Sequence, residues 1–121
     1  MTELSGLRVL VVEDEGAVAL LIEDMLQDLG CEITASAGRL AEACRIAATA
    51  EIDLAVLDVN LDGQPVFPVA EILRKRQIPS IFSTGYGVSG LPREFIGHPV
   101  LGKPFSLKDL QQAITMVLKR S

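Results

Sequence analysis

Five polar side chains follow apolar, strand-like runs, and their types together suit phosphoryl transfer. Glu13 and Asp14 come after LRVLVV, and Asp58 ends IDLAVLD. Thr84 ends SIFST, and Lys103 follows PVLG. A carboxylate nucleophile, a hydroxyl donor and a lysine fit this chemistry, because its catalysis consists mostly of positioning the phosphoryl group and neutralising its charge. The chemistry requires that the fold bring all five side chains to one place.

Each of these residues also has an ordinary structural interpretation when it is taken alone. An aspartate after a strand is most often a turn or capping residue, and Thr84 and Lys103 are acceptable as a strand residue and a loop charge. The acid pair Glu13-Asp14 suits a helix N-terminus. Their recurrence at the ends of four strand-like runs is what favours a shared site.

Apolar periodicity predicts strands and helices in alternation along the chain. The predicted strands span residues 7–12, 31–37, 52–58, 80–84 and 99–102. The predicted helices carry apolar stripes over residues 18–29, 40–47, 66–73 and 107–118. Gly30 suits the end of the first helix, and Pro65 suits the start of the third. Ser106 and Asp109 form a box-like cap for the last helix. The less apolar second strand is expected near a sheet edge.

The stretch GVSGLPREFIG, between the fourth and fifth strands, does not read as a regular helix. Two internal glycines and Pro92 disfavour a long helix, so we expect a loop or at most one or two turns.

Five strands that alternate with helices predict an α/β fold with a doubly wound, five-stranded parallel sheet and right-handed crossovers. Periodicity gives this class but not the order of the strands. In the flavodoxin-like order 2-1-3-4-5, adopted here from known doubly wound sheets, strands one and three are neighbours and the site lies beyond their carboxyl ends.

With that order, Glu13 and Asp14 would stand beside Asp58. Three carboxylates that share a pocket raise one another's pKa or require a cation, and an oxygen-only ligand set suits Mg²⁺. The backbone carbonyl of Asn60, two positions after Asp58, is close enough to complete the coordination. No His or Cys lies among these residues, which argues against zinc.

Length and composition indicate one domain over residues 1–121, with no output domain after Ser121. The net charge is −5, and no basic stripe with aromatics is present, so nucleic acid is not expected as a direct partner. Neither a signal peptide nor a membrane-spanning run is found, so we expect no membrane insertion and a cytoplasmic location. Cys31 and Cys44 are interpreted as small buried hydrophobes.

These motifs, in particular EDE, VLDVN, FSTGYG and GKPF, resemble those of response-regulator receiver domains over essentially the whole chain. The resemblance implies that Asp58 is the phosphoacceptor. It further implies that Asp14, Asp58 and the Asn60 carbonyl bind Mg²⁺, while Glu13 contacts the ion through a coordinated water.

By the same resemblance, Thr84 and Lys103 are the family's hydroxyl and lysine residues. The bond between the lysine and the following proline is commonly cis in the family, so Lys103–Pro104 is a candidate for a cis bond, which proline makes less costly.

The chain departs from the family pattern at three points. The connection from Asp58 to Thr84 is shorter than usual and carries LDGQP in place of the usual Met-Pro. The family's switch aromatic in the fifth strand falls on Val100, and Tyr86 is the candidate substitute. FSTGYG resembles the Phe-Ala-Thr-Gly signature with tyrosine of a subgroup known from alphaproteobacteria, often single-domain and with an irregular fourth helix.

The resemblance implies a stand-alone receiver of two-component signalling, which is not an enzyme although it assists its own phosphorylation and dephosphorylation. The phosphoryl donor would be a sensor histidine kinase or a histidine phosphotransfer protein. Output would pass to a downstream protein by contact or by phosphorelay. The expected output surface combines the segment after Thr84, the fifth strand and the last helix.

Three other functions stay open at this point. A phosphatase with an aspartyl-phosphate intermediate would need a second acid where Asn60 stands, and an amide cannot protonate a leaving group. A flavodoxin-like cofactor binder would need a phosphate cradle after the first strand, where EDEG is acidic instead. An interaction module that is never phosphorylated would keep the fold without the chemistry.

Overall fold

The computed structural model describes residues 4–85 and 91–119. Five strands form the main sheet: β1 (Arg8–Val12), β2 (Glu32–Ala37), β3 (Leu54–Asp58), β4 (Ser80–Thr84) and β5 (Val100–Gly102). Four α-helices connect or follow them: α1 (Gly16–Asp28), α2 (Leu40–Thr49), α3 (Phe67–Lys75) and α4 (Leu107–Lys119). The predicted succession of strands and helices is confirmed.

The strands pair in the order β2-β1-β3-β4-β5, and every pairing is parallel. This confirms the doubly wound α/β class and the flavodoxin-like order 2-1-3-4-5. Every residue of β3 and β4 is buried, whereas β2 alternates between exposed and partly buried residues. The predicted position of the second strand at an edge is therefore confirmed as well.

Two apolar clusters cover the two faces of the sheet. One cluster joins the sheet to α2 and α3, and the other joins it to α1 and α4. Successive strand residues alternate between them, because neighbouring side chains in a strand point to opposite faces: Leu10 belongs to the first cluster, and Val9 and Val11 belong to the second. Below, these are called the α2/α3 face and the α1/α4 face.

The helix boundaries confirm two of the expected signals and correct one. Gly30, with φ +93°, ends α1 in a left-handed conformation that glycine adopts without strain. Ser106 and Asp109 exchange side-chain-to-backbone hydrogen bonds of 3.1 Å, which is the expected capping box. The prediction that Pro65 starts the third helix is wrong, because α3 begins at Phe67 and carries Pro68 in its first turn.

Pro65 instead belongs to a small antiparallel hairpin between β3 and α3, made of the two-residue strands Asn60–Leu61 and Gln64–Pro65. Asp62 and Gly63 form its turn with φ values of +49° and +89°. Asp-Gly is a favoured pair for tight hairpin turns that require two positive φ angles. The LDGQP segment is therefore an ordered hairpin at the end of β3.

The described part of the segment between β4 and β5 contains a single 3₁₀ turn, Arg93–Phe95, consistent with the predicted irregular fourth helix. The Phe95 ring is buried and stacks on Phe67. Val100 is partly buried on the same α2/α3 face. Tyr86, the candidate switch aromatic, lies outside the described residues.

The two cysteines differ in burial. Cys31 is buried as expected, whereas Cys44 is only partly buried, and both thiols are free. Burial raises the pKa of each thiol. Within the two described ranges, none of the helices has the length and apolar character that crossing a bilayer requires.

Candidate functional site

Three of the predicted side chains meet at the carboxyl edge of the sheet. The Lys103 ammonium lies 2.6 Å from Glu13 Oε1 and 3.0 Å from Asp58 Oδ2, so it bridges the two carboxylates. Glu13 and Asp58 are buried, and the Lys103 side chain is 21% exposed. The ends of β1, β3 and β5 therefore converge on one charged site, as predicted.

Backbone N–H groups hold the carboxylates in place. Asn60 N–H donates to Asp58 Oδ1 at 3.2 Å, and Glu15 N–H donates to Glu13 Oε2 at 3.1 Å. At the tip of the hairpin, Asp62 N–H donates to Asp14 Oδ2 at 3.2 Å. Hydrogen bonds of this kind fix the orientation of a carboxylate.

Glu13, Asp14 and Asp58 each present a carboxylate oxygen within 4.8 Å of the others. Within the described part of the chain, the Lys103 ammonium is the cation that pairs with these carboxylates, so the group of three carboxylates keeps an excess of two negative charges. An oxygen-only ligand set with that excess fits a hard divalent cation, and Asp14 is exposed, so an ion could reach it from solvent. The donor set fits the predicted Mg²⁺ site.

The electrostatics of the pair between Glu13 and Lys103 reflect competing effects. Burial raises the pKa of the Glu13 carboxyl, and the hydrogen bonds from Lys103 and from the Glu15 backbone oppose that change without cancelling it. For Lys103 burial works to lower the pKa, but the hydrogen bonds to Glu13 and Asp58 outweigh it and leave the pKa raised. Lys103 therefore stays cationic between its two carboxylates.

Asn60 uses its side chain to stabilise the hairpin, because Asn60 Oδ1 accepts a 2.8 Å hydrogen bond from Gly63 N–H. Pro65 is paired opposite Asn60 and has no N–H, so it cannot donate to the Asn60 carbonyl. The paired residue of the hairpin therefore does not compete for the Asn60 carbonyl, which is predicted to bind the cation.

Thr84 is buried at the end of β4, and its carbonyl accepts a 2.9 Å hydrogen bond from Lys103 N–H. The Lys103–Pro104 bond is cis, which confirms that prediction. The fourth strand therefore ends beside Lys103, as the order of the sheet requires.

Two residues that support the site were missed by the sequence reasoning. A Cβ at Gly38 would lie 3.3 Å from the Glu13 carbonyl oxygen, closer than an ordinary contact, so glycine allows the end of β2 to approach the acid pair. Asp62 anchors Asp14 through its backbone and not through its side chain. Gly38 directly follows the second predicted strand, a position where glycine can indicate a close backbone approach. The Asp62-Gly63 pair is a hairpin-turn signal, but it does not indicate that the Asp62 backbone reaches Asp14.

Comparison with known proteins agrees with this geometry. The family model for the response regulator receiver domain matches residues 9–115. The chain therefore belongs to the response regulator receiver domain family, whose members are signalling domains of two-component systems.

Three similar proteins illustrate the match. The transcriptional regulatory protein PdtaR of Mycobacterium tuberculosis is 33% identical over 117 residues, which cover 93% of this chain and 57% of that protein. The solution structure of SdrG from Sphingomonas melonis Fr1 has a TM-score of 0.84 at 35% identity, covering 97% of this chain and 99% of that one.

The third is the receiver domain of the sensor histidine kinase PA1611 from Pseudomonas aeruginosa PAO1, crystallised with a magnesium ion coordinated in the active site cleft. It has a TM-score of 0.80 at 27% identity, covering 95% of this chain and 99% of that one. The chain spans about half the length of the curated relatives that it matches.

Proposed function

We propose that Asp58 accepts a phosphoryl group from a phosphohistidine on a sensor histidine kinase or a histidine phosphotransfer protein. A P–O bond forms to one carboxylate oxygen of Asp58 while the P–N bond of the donor histidine breaks. The observation that carries this proposal is the placement of Asp58 at the end of a buried strand, with Lys103 Nζ 3.0 Å from Oδ2. A carboxylate whose charge is shared with an ammonium is positioned for attack on an electron-poor phosphorus.

Glu13, Asp14, Asp58 and the Asn60 carbonyl would hold Mg²⁺. When bound, Mg²⁺ supplies neutralising charge to the phosphoryl oxygens. Following the family pattern, Asp14 and Asp58 would be the direct carboxylate ligands, and Glu13 would contact the ion through a coordinated water. The magnesium reported for the PA1611 receiver domain supports the choice of ion.

Lys103 and Thr84 would stabilise the new phosphoryl group. Lys103 has a third N–H beyond the two that bind Glu13 and Asp58, and it can donate to a phosphoryl oxygen. Thr84 would donate its hydroxyl from the end of β4. In this way the domain assists both its phosphorylation and its later hydrolysis, in which a water oxygen replaces Asp58 on phosphorus.

Phosphorylation would shift the equilibrium between two states of one surface, which is formed by the segment after Thr84, β5 and α4. The output would be a changed protein contact or transfer of the phosphoryl group to another protein. A cytoplasmic location, a single domain over residues 1–121 and a downstream protein target belong to the same proposal. A phosphatase is disfavoured because Asn60 occupies the position of the second acid, and its amide cannot donate the required proton.

The test is labelling with acetyl phosphate and Mg²⁺, followed by intact-protein mass spectrometry. We expect one phosphoryl group on the wild type and none on Asp58→Asn, because an amide oxygen is not a nucleophile of comparable strength. Asp53→Asn, an aspartate at the opposite end of β3, is the matched control and should label like the wild type. Undiminished, Mg²⁺-dependent labelling of Asp58→Asn would refute the assignment.

A further inference from the structure

Ser83 lies beside the site, and its hydroxyl has no hydrogen-bond partner among the described residues. The residue is completely buried, and Ser83 Oγ is left without a donor or acceptor. A buried hydroxyl that makes no hydrogen bond destabilises the free fold, and such groups call for a specific reason. Its position relative to Asp58 offers one.

The pairing of β3 with β4 places Ser83 directly opposite Asp58. Val56 and Ile81, the pair two positions earlier, both lie on the α1/α4 face. Side chains two positions apart in a strand point the same way, so Asp58 and Ser83 continue that face. Because adjacent strands lie about 4.8 Å apart, a group attached to Asp58 comes within reach of Ser83 Oγ.

The next strand adds the lysine on the same face. Leu101 of β5 pairs with Ser83 and lies on the α1/α4 face, and Lys103 follows two positions later. Carboxylate, hydroxyl and ammonium therefore follow one another across three adjacent strands. Thr84 instead continues the α2/α3 face, to which Phe82 belongs.

We propose that Ser83 is a second hydroxyl donor to the phosphoryl group on Asp58, acting from the α1/α4 face opposite Thr84. This inference rests on the proposed phosphorylation of Asp58. In the free protein, no described residue hydrogen-bonds to the Ser83 hydroxyl. Once phosphorus is attached, a rotation about the Cα–Cβ bond lets Ser83 Oγ–H donate to a phosphoryl oxygen, and Ser83 itself makes and breaks no covalent bond.

The experiment compares Ser83→Ala and Ser83→Cys with the wild type. Cysteine keeps nearly the volume of serine but is a weak donor, so it separates loss of the hydrogen bond from loss of packing. Ser80→Ala is the matched control, because Ser80 is a buried serine at the other end of the same strand. The measurements are the initial rate of labelling by acetyl phosphate and the affinity for beryllofluoride, both at saturating Mg²⁺.

We expect both Ser83 variants to lose about tenfold in labelling rate and in beryllofluoride affinity, the order of effect of one hydrogen bond to a charged group. Ser80→Ala should match the wild type, and Ser83→Ala should unfold at no lower denaturant concentration than the wild type.

If the wild type labels normally and the Ser83 variants behave like Ser80→Ala, the role of Ser83 is refuted and the phosphoacceptor proposal stands. Labelling equal to the wild type with a lowered unfolding midpoint would assign the hydroxyl to the fold and refute it too. A wild type that is not labelled would refute both.

Discussion

Strands β1 and β3 have a cluster of one cation and several carboxylates at each end, and the two clusters have different roles. The amino-edge cluster consists of Arg8, Glu51 and Asp53, and the carboxyl-edge cluster consists of Glu13, Asp14, Asp58 and Lys103. They share the same two strands and the same kinds of charge. They differ in burial, in the shape of the cation and in the balance of charge.

In the amino-edge cluster, the planar Arg8 guanidinium binds both oxygens of the Asp53 carboxylate. Arg8 Nε and Nη2 donate to the two oxygens of Asp53 at 3.1 and 3.2 Å, and Arg8 N–H adds a bond of 2.8 Å to Oδ2. The side-chain hydrogen bond from Arg8, followed by the backbone one, holds the pKa of Asp53 below its usual value. Glu51 is 83% exposed, so solvent screens the remaining charge. This cluster links the start of β1 to the start of β3.

In the carboxyl-edge cluster, the cation is a point charge and the carboxylates outnumber it by two. Burial raises the pKa of Glu13, the opposite direction to Asp53. An excess of negative charge around the buried Glu13 and Asp58 carboxylates is unfavourable in the free protein, and it becomes favourable when a divalent cation binds. Similar residue types therefore link two strands where a guanidinium pairs with one carboxylate and the second carboxylate is exposed. They form a binding site where two negative charges remain unpaired beside the buried Glu13 and Asp58.

The largest difference between the two clusters is expected in the free energy of unfolding when the cation of each cluster is removed. Lys103→Met leaves Glu13 and Asp58 without an ammonium, so we expect a loss of about 2 kcal/mol in the free energy of unfolding without Mg²⁺, less than for a fully buried pair because Lys103 is partly exposed. Added Mg²⁺ should narrow the deficit. Urea denaturation with and without Mg²⁺ measures both quantities.

Arg8→Met is the control at the other edge. Its loss should be smaller, because the Arg8 side chain is 43% exposed, and it should not respond to Mg²⁺ beyond the response of the wild type. Equal losses for the two variants, or a Lys103→Met deficit that Mg²⁺ leaves unchanged, would contradict the distinction between the clusters.

A smaller effect on the free energy of unfolding is expected from Asp14→Asn, which removes one carboxylate and keeps its size. Mg²⁺ affinity, measured by isothermal titration calorimetry, should fall roughly 10- to 100-fold, because losing a ligand costs at least as much as losing a group that supports one. The free energy of unfolding without Mg²⁺ should rise slightly, because repulsion with Glu13 and Asp58 is relieved. Asp53→Asn should leave the affinity unchanged; a comparable fall there would mean that the ion is not bound at the carboxyl edge.

The elements of this fold could be predicted because their apolar patterns are local. The fully buried β3 and β4 appear as continuous apolar runs, and β2 appears as a weaker alternation. The start of α3 was misplaced because both Pro65 and Pro68 are acceptable near a helix start, and only the Asp62-Gly63 turn, which closes a hairpin, decides between them.

The acids and the lysine of the site could be predicted because each ends an apolar run. Their distances depend on strand order, which is a non-local property and had to be taken from known sheets. Ser83 escaped notice because a serine within SIFST is unremarkable until the register places it opposite Asp58. Gly38 was missed for a similar reason, since only the folded chain brings it against Glu13.

The smallest expected effect concerns the pH dependence of the amino-edge cluster. The pKa of Asp53 is lowered in the folded protein relative to the ordinary value of 3.8, so its contribution to stability is fully present above that value and is lost as the pH falls through the folded pKa. Asp53→Asn should therefore cost about 0.2–1 kcal/mol near neutral pH, the range of screened ion pairs, because the Asp53 side chain is 33% exposed. Urea denaturation of both proteins from about pH 7 to about pH 3 should show the difference shrinking toward acid, since every other group titrates alike in the two. The difference should also shrink in high salt at neutral pH. A difference that stays constant or grows toward acid would mean that Arg8 does not stabilise the charged form of Asp53, and the amino-edge cluster would then not be the matched pair that distinguishes it from the carboxyl edge.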